Sequence, residues 1–158
     1  CLHSLGAEYA QFGADLEVIH HTTLINQLIR AGNLKLSGEG GNAQRVTFHD
    51  PCYLGRHNGV FDDPRDALAA GTVELLAMVP PRSNSFCCGA GGAQMWKEEE
   101  PGQVGVNTSR FEEAECTGAD TMVVGCPFCM MMMTDASRAA GESMPVRDVA
   151  DIVADSLA

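Results

Sequence analysis

Short β-prone runs alternate with helical segments along most of this 158-residue chain. The two sharpest runs are residues 45–49 (RVTFH) and 121–125 (TMVVG), and Pro127 just after the second suits the first turn of a helix. Strand and helix in repeated succession indicate a parallel sheet with helices around it. We therefore predict an α/β fold, a layered parallel-sheet domain with helices on both faces.

The other elements are predicted from apolar periodicity and from turn residues. Strands are expected at residues 16–20, 83–86 and 144–146, and helices at 22–32, 64–79 with an interruption near Gly71, 104–117, 127–140 and 147–157. The Gly-rich stretch 37–42 is predicted to be a loop and 97–102 a charged turn. Ligands of such a sheet gather at the carboxyl ends of its strands.

The charge of the chain argues against several kinds of partner. Ten basic residues against 21 acidic ones give a net charge of −11, which repels nucleic acid and anionic lipid surfaces. No apolar run approaches the roughly 20 residues that span a bilayer, and the first residues lack the features of a signal peptide. The chain has seven cysteines, an odd number, and is long enough to form a core without disulfides. A secreted disulfide scaffold is therefore disfavoured, and we expect a reducing compartment and a cytoplasmic location.

Five of the seven cysteines form a spaced set. Cys52 lies in HDPC, the adjacent Cys87 and Cys88 lie in CCGAGG, and Cys126 and Cys129 lie in CPFC, each motif expected just after a strand. Thiolates gathered in this way indicate a soft-metal or iron–sulfur site. A CxxC alone also fits a redox dithiol or two core cysteines, but adjacent cysteines rarely close a disulfide with each other. The glycines that follow them let the backbone approach a cluster and offer N–H groups to its sulfurs.

These motifs resemble the cysteine-rich CCG domain found in the B-type subunit of heterodisulfide reductase and in related iron–sulfur oxidoreductases of the lactate, glycolate and anaerobic glycerol-3-phosphate dehydrogenase type. The family pattern is a cysteine, a long gap, Cys-Cys-Gly, a second long gap, and Cys-x2-Cys. Here 34 residues separate Cys52 from Cys87, and 37 separate Cys88 from Cys126. The similarity spans residues 45–129, with HDPCYLGRHNG, CCGAGG and CPFC as its strongest pieces.

The resemblance implies an iron–sulfur cluster of the four-iron (4Fe-4S) type, with the noncubane form included. Such a cluster is expected to be lost from protein prepared in air. The implied ligands are Cys52, Cys87, Cys88, Cys126 and Cys129. Some relatives are linked to zinc, so a structural zinc domain stays open as the alternative, and a metal-free dithiol oxidoreductase is the least favoured one. Five thiolates exceed the four that a cubane cluster or a tetrahedral zinc ion takes, which favours an unusual cluster or an exchangeable ligand.

The resemblance also implies a larger protein. The family usually carries two CCG copies, so residues 1–15, with Cys1, are interpreted as the end of a preceding repeat and its linker, and residues 16–158 as the C-terminal copy. Implied partners are that repeat, ferredoxin-like or membrane redox modules, and a flavoprotein or quinone-linked donor or acceptor on the cytoplasmic side of a membrane. The expected function is electron transfer to a disulfide substrate or a quinone-linked chain, with no turnover by this domain alone.

The other candidate residues near the motifs are assigned mostly to structure. Cys116 matches no motif position and is expected mid-helix, in the core or partly buried. His49 and His57 flank Cys52. We interpret them as strand-end histidines that hydrogen-bond to the backbone, in preference to hydrogen-bond donors beside the cluster. His20 and His21 are assigned to structure at a strand edge.

Three further groups lie near the motifs in sequence. Asp50 and Arg56 are candidates for hydrogen bonds near the cluster or to a substrate. They are equally ordinary residues for a surface turn. Asn107 and Arg110 share one face of a helix, and whether that face turns toward the site stays open. The run Met130 to Met133 is predicted to pack the core and shield the cluster instead of binding copper, because consecutive helical residues point in different directions.

Overall fold

The chain forms a four-stranded parallel sheet flanked by helices. The computed structural model describes residues 2–37, 43–98, 102 and 104–158. Its strands are β1 (Gln44–Phe48), β2 (Val73–Leu76), β3 (Thr121–Val124) and β4 (Val146–Asp148), in the spatial order β2-β1-β3-β4 with every neighbouring pair parallel. Its α-helices are α1 (His21–Arg30), α2 (Asp63–Ala69), α3 (Val106–Glu115), α4 (Pro127–Ala139) and α5 (Val149–Asp155). The predicted fold class is confirmed.

Helices cover both faces of the sheet because its central strand β3 is apolar on both sides. All four of its residues are buried, as is usual for an interior strand of a parallel sheet. Met122 and Val124 join a core formed with α3 and α4, whereas Val123 joins a second core formed with β1, α2 and α5. Each helix layer thereby removes one alternating set of β3 side chains from water.

Most of the predicted elements are confirmed. α1, α3 and α4 occupy predicted helical stretches, and β1 and β3 are the two sharpest strand runs. β4 and α5 each begin two residues later than predicted, because Asp148 caps α5. Its carboxylate accepts the N–H of Ala150 at 2.9 Å, and the Asp151 carboxylate accepts the N–H of Asp148 at 3.3 Å.

The prediction of one interrupted helix over residues 64–79 is wrong. α2 ends at Ala69, and Val73–Leu76 becomes β2, which pairs with β1. A short apolar run fits a helix or a strand by periodicity alone, and here pairing with the free edge of β1 makes it a strand. Gly71 lies at the junction, where a Cβ would approach Ser156 Oγ to 2.9 Å.

Two of the other predicted strands are also wrong. Residues 16–20 lie outside the sheet, and His20 caps α1 instead of ending a strand. Residues 83 and 84 belong to a 3₁₀ turn at Arg82–Asn84, and the carbonyls of Ser83 and Ser85 accept from the Arg56 side chain instead of a neighbouring strand. Further short turns lie at Ser4–Glu8, Tyr9–Phe12 and Gly91–Trp96.

Residues 38–42 of the predicted loop at 37–42 and residues 99–101 of the predicted charged turn at 97–102 lie outside the described residues. Ser37 is described, and its N–H donates to Ser156 O at 2.7 Å. Within the described part of the chain, none of the helices has the length and apolar character needed to cross a bilayer.

Candidate metal centre

Two of the cysteine motifs begin where neighbouring parallel strands end. β1 leads to Cys52 and β3 leads to Cys126. Because β1 and β3 pair in parallel, their carboxyl ends lie side by side at one edge of the sheet. Cys126 is the N-cap of α4, and Cys129 lies in the first turn of that helix. For these two motifs the predicted position after a strand is confirmed.

Cys87 and Cys88 do not follow a strand, contrary to prediction. The segment before them is held by Asp50, which is buried just beyond β1. Its carboxylate accepts the backbone N–H of Arg82 at 2.8 Å and two hydrogen bonds from the Arg65 guanidinium at 2.7 and 2.8 Å. The carboxylate therefore fixes the loop of one motif against that of another.

Arg56 holds the same segment to the loop of Cys52. Its Nε donates to Ser83 O at 3.0 Å, and its Nη2 donates to Ser85 O. Ser85 is itself buried, two residues before Cys87. Asp50 and Arg56 thus bond to groups of the protein and position the CCG loop.

The five thiols of the set are brought together. Cys88 Sγ and Cys129 Sγ lie 3.4 Å apart, and both residues are buried. Cys87 adjoins Cys88, Cys126 lies close to Cys129, and Cys52 lies near enough to Cys88 and Cys126 for their charges to raise its pKa. Residues from three separate motifs thus form one sulfur group, in which Cys88 and Cys129 are buried and the other three are partly exposed. We call it the thiol cluster: Cys52, Cys87, Cys88, Cys126 and Cys129.

The thiol cluster favours ionisation of some of its members. Hydrogen bonds from Cys129 and Cys87 lower the pKa of Cys88, and a hydrogen bond from Cys129 lowers the pKa of Cys126 to about 6. The donating thiols respond in the opposite direction, since hydrogen bonding to Cys126 raises the pKa of Cys129 and hydrogen bonding to Cys88 raises that of Cys87. Burial raises the pKa of Cys52. Thiolate is the form that binds metals.

Backbone N–H groups of the CCG loop also point at the sulfurs. Gly89 N–H donates to Cys87 Sγ at 3.3 Å, and the N–H of Ala90 bonds to Cys88. Gly89 adopts a φ of +88°, and a Cβ there would lie 3.3 Å from Val106 Cβ. A glycine is therefore required for this loop to lie against α3.

A buried histidine and arginine lie beside the thiol cluster. Arg110 Nε donates to His49 Nδ1 at 3.0 Å, and the ligand atoms of His49 and Cys88 lie within 4.8 Å of each other. Burial lowers the pKa of His49, while Cys88 acts in the opposite direction. Arg110 is fully buried and pairs with Glu113 at 2.6 Å. The interpretation of His49 as a strand-end residue satisfied by the backbone is wrong for its side chain, which accepts a hydrogen bond from Arg110.

The face of α3 that carries Asn107 and Arg110 turns toward the site. Asn107 donates to Met132 O at 3.4 Å and, with Gly89, lines a cavity of about 390 Å³. A second cavity, of about 340 Å³, is lined by Cys126 and by mostly apolar side chains that include Tyr53 and Phe128. Both cavities thus border residues of the motifs. The sequence offered one signal for this face, the helical spacing of its two polar residues.

His20 and His21 have structural roles, as predicted, but at the start of α1 instead of a strand edge. His20 Nδ1 accepts the N–H of Thr22 at 3.3 Å and caps α1, and His21 bonds to Asp148 at 3.1 Å. His57 is not the predicted strand-end histidine: it lies in an exposed turn, and its ring stacks on Tyr53 with centroids 4.4 Å apart.

Cys116 is exposed, not buried as predicted. It caps the C-terminus of α3, two residues beyond the buried Ala114, and so points about 200° away from the core-facing side. Met130, Met132 and Met133 pack against the core, as predicted, but Met131 is exposed. Cys1 lies outside the described residues.

Comparisons with known proteins agree with the resemblance seen in the motifs. A sequence model of the family described as Cysteine-rich domain (CCG) matches residues 46–134, a range that contains the whole thiol cluster. The chain is 40% identical over 153 residues to the "Probable iron-sulfur-binding oxidoreductase FadF" of Bacillus subtilis, covering 95% of this chain and 21% of that protein.

Two further relatives have names that state a redox activity. The chain is 38% identical to the EtfAB:quinone oxidoreductase of Syntrophomonas wolfei, covering 97% of this chain and 23% of that protein. It is 37% identical to one subunit of the dihydromethanophenazine:CoB–CoM heterodisulfide reductase of Methanosarcina barkeri, covering 89% of this chain and 34% of that protein. The chain thus spans about a fifth to a third of the length of these relatives.

Proposed function

The chain belongs to the cysteine-rich domain family CCG, and on this premise we propose that it binds an iron–sulfur cluster and serves as an electron-transfer module of a larger oxidoreductase. The convergence of five thiols from three motifs carries the proposal. A bound cluster supplies one-electron chemistry, and the protein supplies its ligands, a low dielectric and hydrogen bonds.

The residues present fit such a cluster. Thiolates are its usual ligands, and we propose all five cysteines of the thiol cluster for this role. The N–H groups of Gly89 and Ala90 stabilise negative charge on the sulfurs. Arg110 Nη2 is buried without a hydrogen-bond partner among the described residues, so it is a further donor available to a bound anion. Five thiols exceed the four ligands of a cubane cluster. We therefore propose a four-iron cluster and count its noncubane form among the candidates.

The larger protein supplies the partners. The relatives' names mention a quinone and a heterodisulfide, and we propose a disulfide substrate or a quinone-linked chain as the electron acceptor. The proposed assembly faces the cytoplasm. It contains a preceding CCG repeat that ends within residues 1–15, ferredoxin-like or membrane redox modules, and a flavoprotein donor. Residues 16–158 act as one module in it and have no turnover alone.

A structural zinc domain is the second candidate. It is favoured by one observation, that the ligand atoms of His49, Cys88 and Cys129 lie within 4.8 Å of one another. Histidine and cysteine are the usual ligands of structural zinc.

Anaerobic purification followed by iron, sulfide and zinc analysis separates the two candidates. We expect a coloured protein with up to about four irons and matching sulfide per chain, and an electron paramagnetic resonance (EPR) signal after reduction. Cys88→Ser should abolish the signal, whereas Cys116→Ser, a change at an exposed cysteine outside the thiol cluster, should retain it. A colourless protein with one zinc per chain contradicts the proposal.

A further inference from the structure

The contact between Arg110 and His49 determines which ring nitrogen of the histidine carries the proton. A guanidinium is only a donor, and Arg110 Nε lies 3.0 Å from His49 Nδ1. Nδ1 must therefore accept with its lone pair. A neutral imidazole has one N–H, so that proton resides on Nε2.

Burial leaves this arrangement few alternatives. His49 is 1% exposed and Arg110 is 0% exposed, so water does not compete for the Nδ1 lone pair. Glu113 anchors the far side of the guanidinium at 2.6 Å. The His49 backbone is fixed as well, since its N–H donates to Val123 O at 2.9 Å.

The same contact argues against His49 as a metal ligand. A ligating histidine binds the metal through one nitrogen and usually donates N–H from the other to an acceptor. Nδ1 of His49 faces a donor, so binding through Nε2 would leave the ring with no proton at all. The nearness of His49 to Cys88 and Cys129 is better explained by a hydrogen bond to sulfur.

We propose that His49 is a positioning residue of the site: Arg110 locks it as the Nε2–H tautomer, and Nε2–H donates to the sulfur of Cys88. This inference rests on the proposed iron–sulfur function. An N–H bond to a ligand sulfur stabilises the extra negative charge of the reduced cluster, and the buried guanidinium acts in the same direction. The pair therefore raises the reduction potential of the bound cluster and strengthens its retention.

Potentiometric titration of the anaerobic holoprotein, followed by EPR, tests the consequence. His49→Leu removes the donor, and the double variant Arg110→Met/Glu113→Gln removes the lock without leaving a buried charge. Both should shift the midpoint potential to more negative values, and His49→Leu should lower iron retention against a chelator about 10- to 100-fold. His49→Gln, whose amide N–H can replace Nε2–H, should lie nearer the parent. Arg138→Met, a change at an exposed arginine, should match the parent.

Long-range ¹H–¹⁵N correlation of the histidine side chains reads the tautomer directly. The full chain is used in its reduced, cluster-free form after its folding is checked by circular dichroism, and His49→Gln identifies the signal. We expect Nε2–H in the parent and a mixture of tautomers in the Arg110 double variant. This readout does not depend on a cluster.

The outcomes separate the two proposals. A parent protein that takes up no iron contradicts the proposed function, while the tautomer is still decided by the nitrogen signals. A loaded parent whose potential equals those of His49→Leu and the double variant overturns the positioning role, as does an Nδ1–H tautomer. If His49→Leu does not fold, His49→Gln and the double variant decide the matter.

Discussion

The Asp50 carboxylate accepts two hydrogen bonds from the Arg65 guanidinium, at 2.7 and 2.8 Å, while its residue is only 4% exposed. The pair lies between α2 and the end of β1, and a third hydrogen bond joins the same carboxylate to the N–H of Arg82. One buried charge pair thus connects a strand end with the segment that delivers Cys87 and Cys88.

Removing the charge of Asp50 should destabilise the fold and loosen the CCG loop. Asp50→Asn leaves the Arg65 guanidinium without its counter-charge, which costs on the order of 3 kcal/mol. Urea unfolding of the purified variants measures the loss, and iron analysis should show weaker cluster retention. Asp66→Asn is the matched control, since Asp66 pairs with Arg30 at the surface and should change stability by less than about 1 kcal/mol. Equal effects of the two substitutions would contradict this account.

Gly89→Ala should disturb the site from the backbone. A residue at φ +88° with a Cβ 3.3 Å from Val106 Cβ and 3.4 Å from Met132 Cε is strained, at a cost of about 1 to 3 kcal/mol. We expect a lower iron content per chain and a lower melting temperature. Gly91 lies in the same loop with a negative φ, and a Cβ there would have nothing within 4 Å. Gly91→Ala should therefore resemble the parent. Full cluster loading of Gly89→Ala would show that the loop tolerates a side chain.

Stability should fall with decreasing pH because of His20. Burial lowers its pKa to about 4, with His21 acting in the same direction and Asp148 opposing it. A histidine of the unfolded chain titrates near 6.5, so between about pH 6.5 and 4 the unfolded state binds a proton that the folded state does not. The folded state loses stability across this window as pH falls, and His20 contributes no change above it.

His20→Asn isolates that contribution. Asparagine keeps a side-chain acceptor for the Thr22 N–H at the N-cap of α1 but does not titrate. Denaturant unfolding at pH 7 and pH 4.5 should show a smaller loss for His20→Asn than for the parent. His57→Asn, at an exposed position, should keep the full loss. An unchanged pH dependence in His20→Asn would rule His20 out as its source.

Cluster removal should expose thiols to reagents. In the loaded protein the five cysteines of the thiol cluster are ligands, so a thiol-specific dye should react with no more than two of the seven cysteines. Cys116→Ser should lower that count by one, because Cys116 is exposed. Treatment with a chelator and oxidant, followed by reduction, should raise the count, since the ligands are freed. A high count in the loaded protein would mean that fewer cysteines bind the cluster.

The sequence alone was sufficient for the elements that depend on local chemistry. Apolar periodicity located α1, α3 and α4, Pro127 marked the start of a helix, and the apolar run TMVVG identified the strand β3. The cysteine spacing identified the family, because ligands to one cofactor must recur at positions that the fold brings together. These signals lie within single elements or motifs, so they can be recognised without knowing the neighbours.

Tertiary structure alone decided what depends on partners distant in the chain. Val73–Leu76 became a strand because β1 had a free edge, and the CCG loop reached the site through the Asp50 carboxylate instead of a strand. The role of His49 depends on Arg110, 61 residues away, and on Cys88 beside it. A buried polar group takes whichever partner packing provides, and short-range sequence patterns hold no record of that choice.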